Sequence, residues 1–291
     1  MPQPSAAAPQ AIRAYERRIA ALIRRSRLVR VQDVWRIRRA YSEFLSEAGP
    51  YIAGQTGFGR SASEQIVATL ARRVDELSNR VLGIVRTGML AQVELAQAGL
   101  VAYAAEFGAG GLAGLGVSTQ QLDALMSFSA DLIGIRTGGI GADMLRRVNS
   151  AIRLGAMGVV DQRVSIAAVN RALGGAAQWS YRAERIYVTE TLRAASINTE
   201  MGIQDLARRT PTGKKWVWSH IARQEHASIN GQVVAADKKF RVPVPATKGR
   251  PARTVLMRFP RDPSAPPEAT VFCGCFLVAV PMTAAGSAAA A

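Results

Sequence analysis

Apolar residues recur every three to four positions over the first half of the chain, the period of an amphipathic helix. Ile12, Ile19, Leu22, Ile23 and Val29 mark one such face, and Arg13, Arg17, Arg18, Arg24, Arg25, Arg27 and Arg30 occupy the others. This pattern predicts a helix over 11–48 that stops at Gly49-Pro50, where a flexible residue meets one without a backbone N–H. A second long helix is predicted from Ser61 to about Ala105, with Ile66, Leu70, Leu77, Val81, Ile84, Val85 and Val93 inward and Arg72, Arg73, Asp75 and Glu76 outward. It ends at Gly108-Ala109-Gly110-Gly111-Leu112-Ala113-Gly114-Leu115-Gly116. That run has neither the Lys-Ser/Thr of a phosphate loop nor a GxGxxG fingerprint, so it reads as a hinge. Shorter helices are expected at 119–133, 141–155 and Val164 to Leu173, and a longer one from Gln178 to Ile203. On the last, Glu190 and Arg193 stand three apart and meet on one face.

After Gly202 the helical period fades and prolines gather at 243, 245, 251, 260, 263, 266 and 267. Trp216-Val217-Trp218, Gln232-Val233-Val234, Thr254-Val255-Leu256-Met257 and Phe276-Leu277-Val278-Ala279-Val280 read as short strands. Asn230-Gly231 signals a hairpin turn between Ile229 and Val233. The expected fold is a mainly α N-terminal region with long helices, plus a small C-terminal α+β module with short strands. The expected divisions are a disordered 1–10, a helical region 11–205, a module 206–283 and an Ala-rich tail 284–291.

Charge changes the picture. The chain of 291 residues has 37 Lys and Arg against 21 Asp and Glu, a formal charge of +16, which points to a polyanionic neighbour. Residues 201–261 contain thirteen basic residues and three acids. Lys214, Lys215, Arg223, Lys238, Lys239, Arg241, Lys248, Arg250, Arg253 and Arg258 are therefore candidate contacts to nucleic-acid phosphate or an acidic partner; the plainer alternative is a solvated surface. No recognition helix or finger spacing for base readout is evident. Trp216 and Trp218, on one face of a strand, suit core packing or a stacking platform for bases.

The two histidines and two cysteines of the whole chain all lie within 220–275. His220, His226, Cys273 and Cys275 form a sensible tetrahedral set for a structural zinc, which would staple a loop-rich module with little core of its own. The alternative is that the thiols pack as small hydrophobes and His226 is a structural histidine. A Cys273–Cys275 disulfide would be strained. No catalysis is expected: HExxH is absent, no Ser or Cys sits in a nucleophile elbow, and adjacent Glu225 and His226 point in different directions. Met1 to Gln10 lacks the apolar core of a signal peptide, and Val271 to Ala291, with Pro281 and Gly286, does not read as a membrane span.

The C-terminal segment runs Lys214-Lys215-Trp216-Val217-Trp218-Ser219-His220, Arg223-Gln224-Glu225-His226, Ile229-Asn230-Gly231-Gln232-Val233-Val234, then Pro260, Asp262-Pro263 and Cys273-Gly274-Cys275. In this order it resembles the Mu F-type phage head morphogenesis family of minor head (minor capsid) proteins: a Lys-Trp start, Arg-x-x-His, a hydrophobic-Asn/Asp-Gly-Gln turn, a Pro-Asp-Pro stretch and a closing Cys-x-Cys. Arg185-Ile186-Tyr187-Val188-Thr189-Glu190 is similar to the family's Thr-Glu helix, and the resemblance covers about 180–280. Three positions depart from it. Ser219-His220 stands where an acid is usual, Phe272 replaces an Asn, and Gly274 replaces an Arg. The resemblance implies a structural virion-assembly protein at the portal or capsid, touching packaged DNA without sequence preference and present in multiple copies. Its partners would be portal, major capsid or scaffold protein, with no membrane. It would pass from host cytoplasm into the virion, at the capsid interior or portal region. Beside the resemblance, Glu190 is a candidate partner for Arg223, locking helix to module. Rival readings are a cellular sequence-independent nucleic-acid-binding protein, an effector or toxin enzyme, and a membrane-surface protein using the Arg-rich helix at 13–30.

Overall fold

The computed structural model describes residues 9–55, 60–108, 119–134, 139–157, 159–174, 176–219, 224–247 and 249–282. Residues 1–8 of the expected disordered start, most of the glycine-rich hinge and the Ala-rich tail therefore lie outside the described residues, as do His220, Arg223 and Lys248, while Pro9 and Gln10, expected to be disordered, open the first helix. Six long or medium helices come first: α1 Pro9–Ala53, α2 Arg60–Phe107, α3 Thr119–Ile133, α4 Ile140–Ala156, α5 Gln162–Gly174 and α6 Ala176–Ala207. Five short strands follow: β1 Thr212–Val217, β2 Val233–Ala235, β3 Phe240–Val244, β4 Arg253–Met257 and β5 Phe276–Pro281, with a 3-10 turn at Gln224–Ile229 and the one-turn helix α7 Pro267–Thr270. A mainly α N-terminal region with a small C-terminal α+β part is thus the observed architecture. Among the described residues, no helix is long and apolar enough to cross a membrane.

Two details differ from the sequence reading. Helix α1 does not stop at Gly49-Pro50 but carries Pro50 inside it to Ala53. Proline near a helix end forfeits only one hydrogen bond, and Ile52, fully buried, holds that turn against its core. Strand β3 was not expected, because Pro243 argues against a strand interior. It pairs only with β4, in a two-stranded sheet, so its free edge tolerates the missing N–H.

The chain divides into two compact units, and several helices contribute to both. Unit 2 takes Val31–Thr87 and Ala124–Tyr187 and is entirely helical among the described residues. Its core includes Ile37, Phe44, Ile66, Leu70, Val148 and Trp179. Unit 1 takes Met1–Arg30, Gly88–Asp123 and Val188–Ala291. The strands thus share a unit with the first half of α1 and the second halves of α2 and α6. Its three-stranded antiparallel sheet has β1 at the centre, between β2 and β5. Against these strands the core continues through Tyr15, Leu100, Tyr103, Ile203, Trp216, Phe240, Val242 and Cys275. Gly202 on α6 sits so close to α2 that a Cβ would stand 2.2 Å from Leu100 Cδ1, so a larger residue would displace the buried Leu100 side chain.

Candidate metal centre and basic surface

The 3-10 turn at Gln224–Ile229 delivers His226, and the turn before β5 delivers Cys273 and Cys275. All three side chains are fully buried. His226 Nδ1 lies 3.5 Å from Cys273 Sγ and 3.6 Å from Cys275 Sγ. A tetrahedral zinc with Zn–S near 2.3 Å and Zn–N near 2.05 Å separates sulfur and nitrogen by about 3.5 Å. The observed spacings match that edge, and the donor chemistry is that of a soft-to-borderline metal. These residues can hold a metal ion. His220, the expected fourth ligand, is among the residues not described.

Electrostatics split the two thiols. The Cys273 thiol is held well below the ordinary cysteine range, first by a hydrogen bond from Cys275, then by His226 and the Arg261 guanidinium. Cys275 moves the opposite way, because it keeps the proton that it shares with Cys273 and is buried. Edge-on packing of Trp216 closes one side of His226, with ring centroids 5.5 Å apart. His226 Nε2 is buried without a hydrogen-bond partner among the described residues.

The loop that carries the cysteines is held from several sides. Arg261, buried, donates through Nη1 to the carbonyls of Cys273 and Cys275 at 2.7 and 2.8 Å. The Phe272 N–H donates to Thr189 Oγ1 at 2.9 Å. Gly274 has no room for a side chain: a Cβ would stand 2.5 Å from Ser219 Oγ and 3.0 Å from Arg30 Nη1. The Arg30 guanidinium reaches the loop here from α1. Phe272 has φ +59, a left-handed conformation that Asn tolerates better than Phe. Asp262 organises the preceding turn by accepting from the N–H groups of Arg258 and Ser264 at 2.8 and 3.0 Å.

Among the expected phosphate contacts, Lys214 is corrected. It is 1% exposed and donates to both carboxylate oxygens of Glu200, at 2.9 and 3.0 Å. Strand alternation places it on the inward face with Thr212 and Trp216, so it cannot meet a phosphate. Burial draws its pKa down, and Glu200 opposes that shift. Trp216 is likewise fully buried and is no stacking platform, and β1 ends before Trp218. Glu190 pairs with Arg193 through both oxygens at 2.8 and 2.7 Å; its expected partner Arg223 is not described. Ile229 belongs to the 3-10 turn, not to a strand, so Asn230-Gly231 does not close a two-residue hairpin. Instead Gly231, at φ +80, lets the chain turn toward β2, and Asn230 Oδ1 accepts from the Trp218 N–H at 3.0 Å.

The remaining cations do reach solvent. Lys238, Lys239, Arg241, Arg250, Arg253 and Arg258 are exposed on or beside the β3–β4 ribbon, and Lys215 is half-buried near Glu16. Arg241 stands opposite Leu256 on the ribbon's outer face, and both are exposed. Arg250 and Arg253 are partly answered by Glu268 and Lys238 by Asp237. The buried Arg261 and the Lys214–Glu200 pair were not foreseen as parts of the site. Strand alternation starting at Thr212 carried the signal for Lys214; nothing local marked Arg261. No family model, curated protein or solved structure matches this chain.

Proposed function

We propose that the protein is a structural minor head protein of a tailed bacteriophage, acting in head assembly at the portal or capsid and lying against packaged DNA. One observation carries this reading. Several residues behind the Mu F-type resemblance lie in or beside a single buried centre. Thr189 holds the cysteine loop, Asp262 shapes the turn beside it, Asn230 fixes the chain after β1, and His226 meets Cys273 and Cys275. An ordered motif set that converges in this way behaves as one module. The metal of that centre is a structural zinc. When bound it supplies a cross-link between the 3-10 turn and the loop before β5; this chain's residues supply two sulfurs and an imidazole nitrogen at the required spacing. Ligands this fully buried suit a structural role better than a catalytic one.

The exposed cations around β3 and β4 then serve as a sequence-independent contact to packaged DNA. Assembly partners are portal, major capsid or scaffold protein, and the protein ends in the virion. The test is purification of the protein from cells that express it from its own genome, with identification of co-sedimenting chains. Co-sedimentation in head-sized particles with portal or major capsid protein is the expected result. Recovery only with host chromosomal DNA, free of any head protein, would overturn the proposal in favour of a cellular nucleic-acid-binding protein.

A further inference from the structure

Arg261 is 1% exposed, yet among the described residues it forms no ion pair with a carboxylate. Its acceptors are the two carbonyls that flank Gly274, both reached by Nη1, and Ser196 Oγ on α6, reached by Nη2 at 2.6 Å. Its own carbonyl accepts from Arg193 Nε at 3.2 Å, and Arg193 is in turn fixed by Glu190. The backbone of Arg261 is left-handed, at φ +66, a conformation that a non-glycine residue keeps only where its surroundings enforce it. A buried guanidinium ordinarily calls for an acid. Here it is aimed at the backbone of the loop that presents the sulfurs.

From this geometry we infer that Arg261 is a positioning residue for the metal centre, fixing the Cys273 and Cys275 carbonyls so that both sulfurs face His226. The inference rests on the metal reading of the same site. A chain Glu190–Arg193–Arg261 runs from α6 to the loop, so the metal loop is referenced to a long helix. Only a planar fork reaches two carbonyls and a hydroxyl at once; a lysine ammonium, a point charge on a flexible stem, does not reproduce that geometry. Residues one step behind metal ligands orient them, and their loss typically weakens binding by about 10–100-fold.

The test titrates metal-free full-length protein with Co2+, read by its thiolate-to-cobalt and ligand-field absorption, followed by competition with Zn2+. Wild type is expected to show thiolate-to-cobalt bands. Arg261→Lys should keep the stoichiometry, bind roughly tenfold or more weakly and show altered ligand-field bands. Ser196→Ala, which removes only one acceptor of the fork, should weaken binding measurably but less than Arg261→Lys does. A folded Arg261→Lys protein with wild-type spectrum and affinity would overturn the assignment. If that variant does not fold, Ser196→Ala decides: weaker binding supports the inference and unchanged binding overturns it. Absence of thiolate-to-cobalt bands in wild type would remove the metal reading itself, a different failure from a variant that binds as wild type does.

Discussion

In unit 2 the buried charges are acids, and the arginines that answer them stay in water. Glu184 is buried while Arg38, which donates to it, remains largely exposed, and Asp33 is served by exposed Arg36 and by the hydroxyl of Tyr187. In unit 1 the cations themselves are buried: Lys214 beneath the central strand and Arg261 behind the cysteine loop. Arginines that snorkel over a helical core cost little and add little. Burying a cation costs several kcal/mol unless its geometry is fully satisfied, so a fold keeps one where it fixes something. Arg261 fixes the loop holding Cys273 and Cys275, and Lys214 ties β1 to Glu200 on α6. The contrast separates a helical unit whose buried charges are acids from a unit whose apolar core also encloses hydrogen-bonded cations.

The largest test of this contrast is Lys214→Met. It leaves Glu200 buried with the Gln204 amide, at 3.2 Å, and the longer Arg258 contact, at 3.7 Å, as its remaining partners, and should destabilise the protein by about 3 kcal/mol in urea unfolding. Arg80→Ala, which breaks the surface pair with Glu43 in unit 2, should leave the unfolding midpoint unchanged. Equal effects from the two substitutions would erase the distinction between the units. Because Lys214 is buried, its substitution in a still-folded protein should also leave duplex-DNA affinity unaltered.

A second test addresses the surface of unit 1. Reversing Lys238, Lys239 and Arg241 to Glu should reduce the slope of log affinity against log salt for a random duplex by roughly 2–3, about 0.9 per lost phosphate contact. Thermal unfolding should stay near wild type, since all three residues are exposed. An unchanged slope would leave the β3–β4 ribbon without a role in DNA contact.

The smallest expected effect is Phe272→Asn. Relieving a left-handed phenylalanine at φ +59 should stabilise the protein by about 1 kcal/mol, read as a higher unfolding midpoint. Destabilisation would mean that packing of the phenyl ring outweighs its backbone strain.

The two units also differ in how much of them the sequence revealed. The helices of unit 2 were legible as a 3.6-residue period, because each buries one stripe; Ile66, Leu70 and Leu77 are inside as that period requires. In unit 1 the gathering of His226 with the two cysteines was legible from their confinement to one window. The framework around them was not. Arg261 resembles any other arginine of a basic loop, and its burial follows from two carbonyls that come together only in three dimensions. Lys214 was misread for a related reason. Counted as charge it belongs to a patch, whereas counted as a strand position it belongs with Thr212 and Trp216 on the inward face. Pro243 hid β3, since a proline is tolerated only at a free sheet edge, and edges are not visible in sequence. The Asn230-Gly231 turn was placed correctly, but its partner was a 3-10 turn, which leaves no alternating signature.

The most direct measurement of the central claim, that unit 1 is organised by a bound metal, is the zinc content of purified protein combined with thermal unfolding before and after chelation. The account predicts about one zinc per chain and a clear fall in the unfolding midpoint when the zinc is removed, reversed on adding it back. Zinc far below one per chain, with an unfolding curve that chelation does not move, would contradict it.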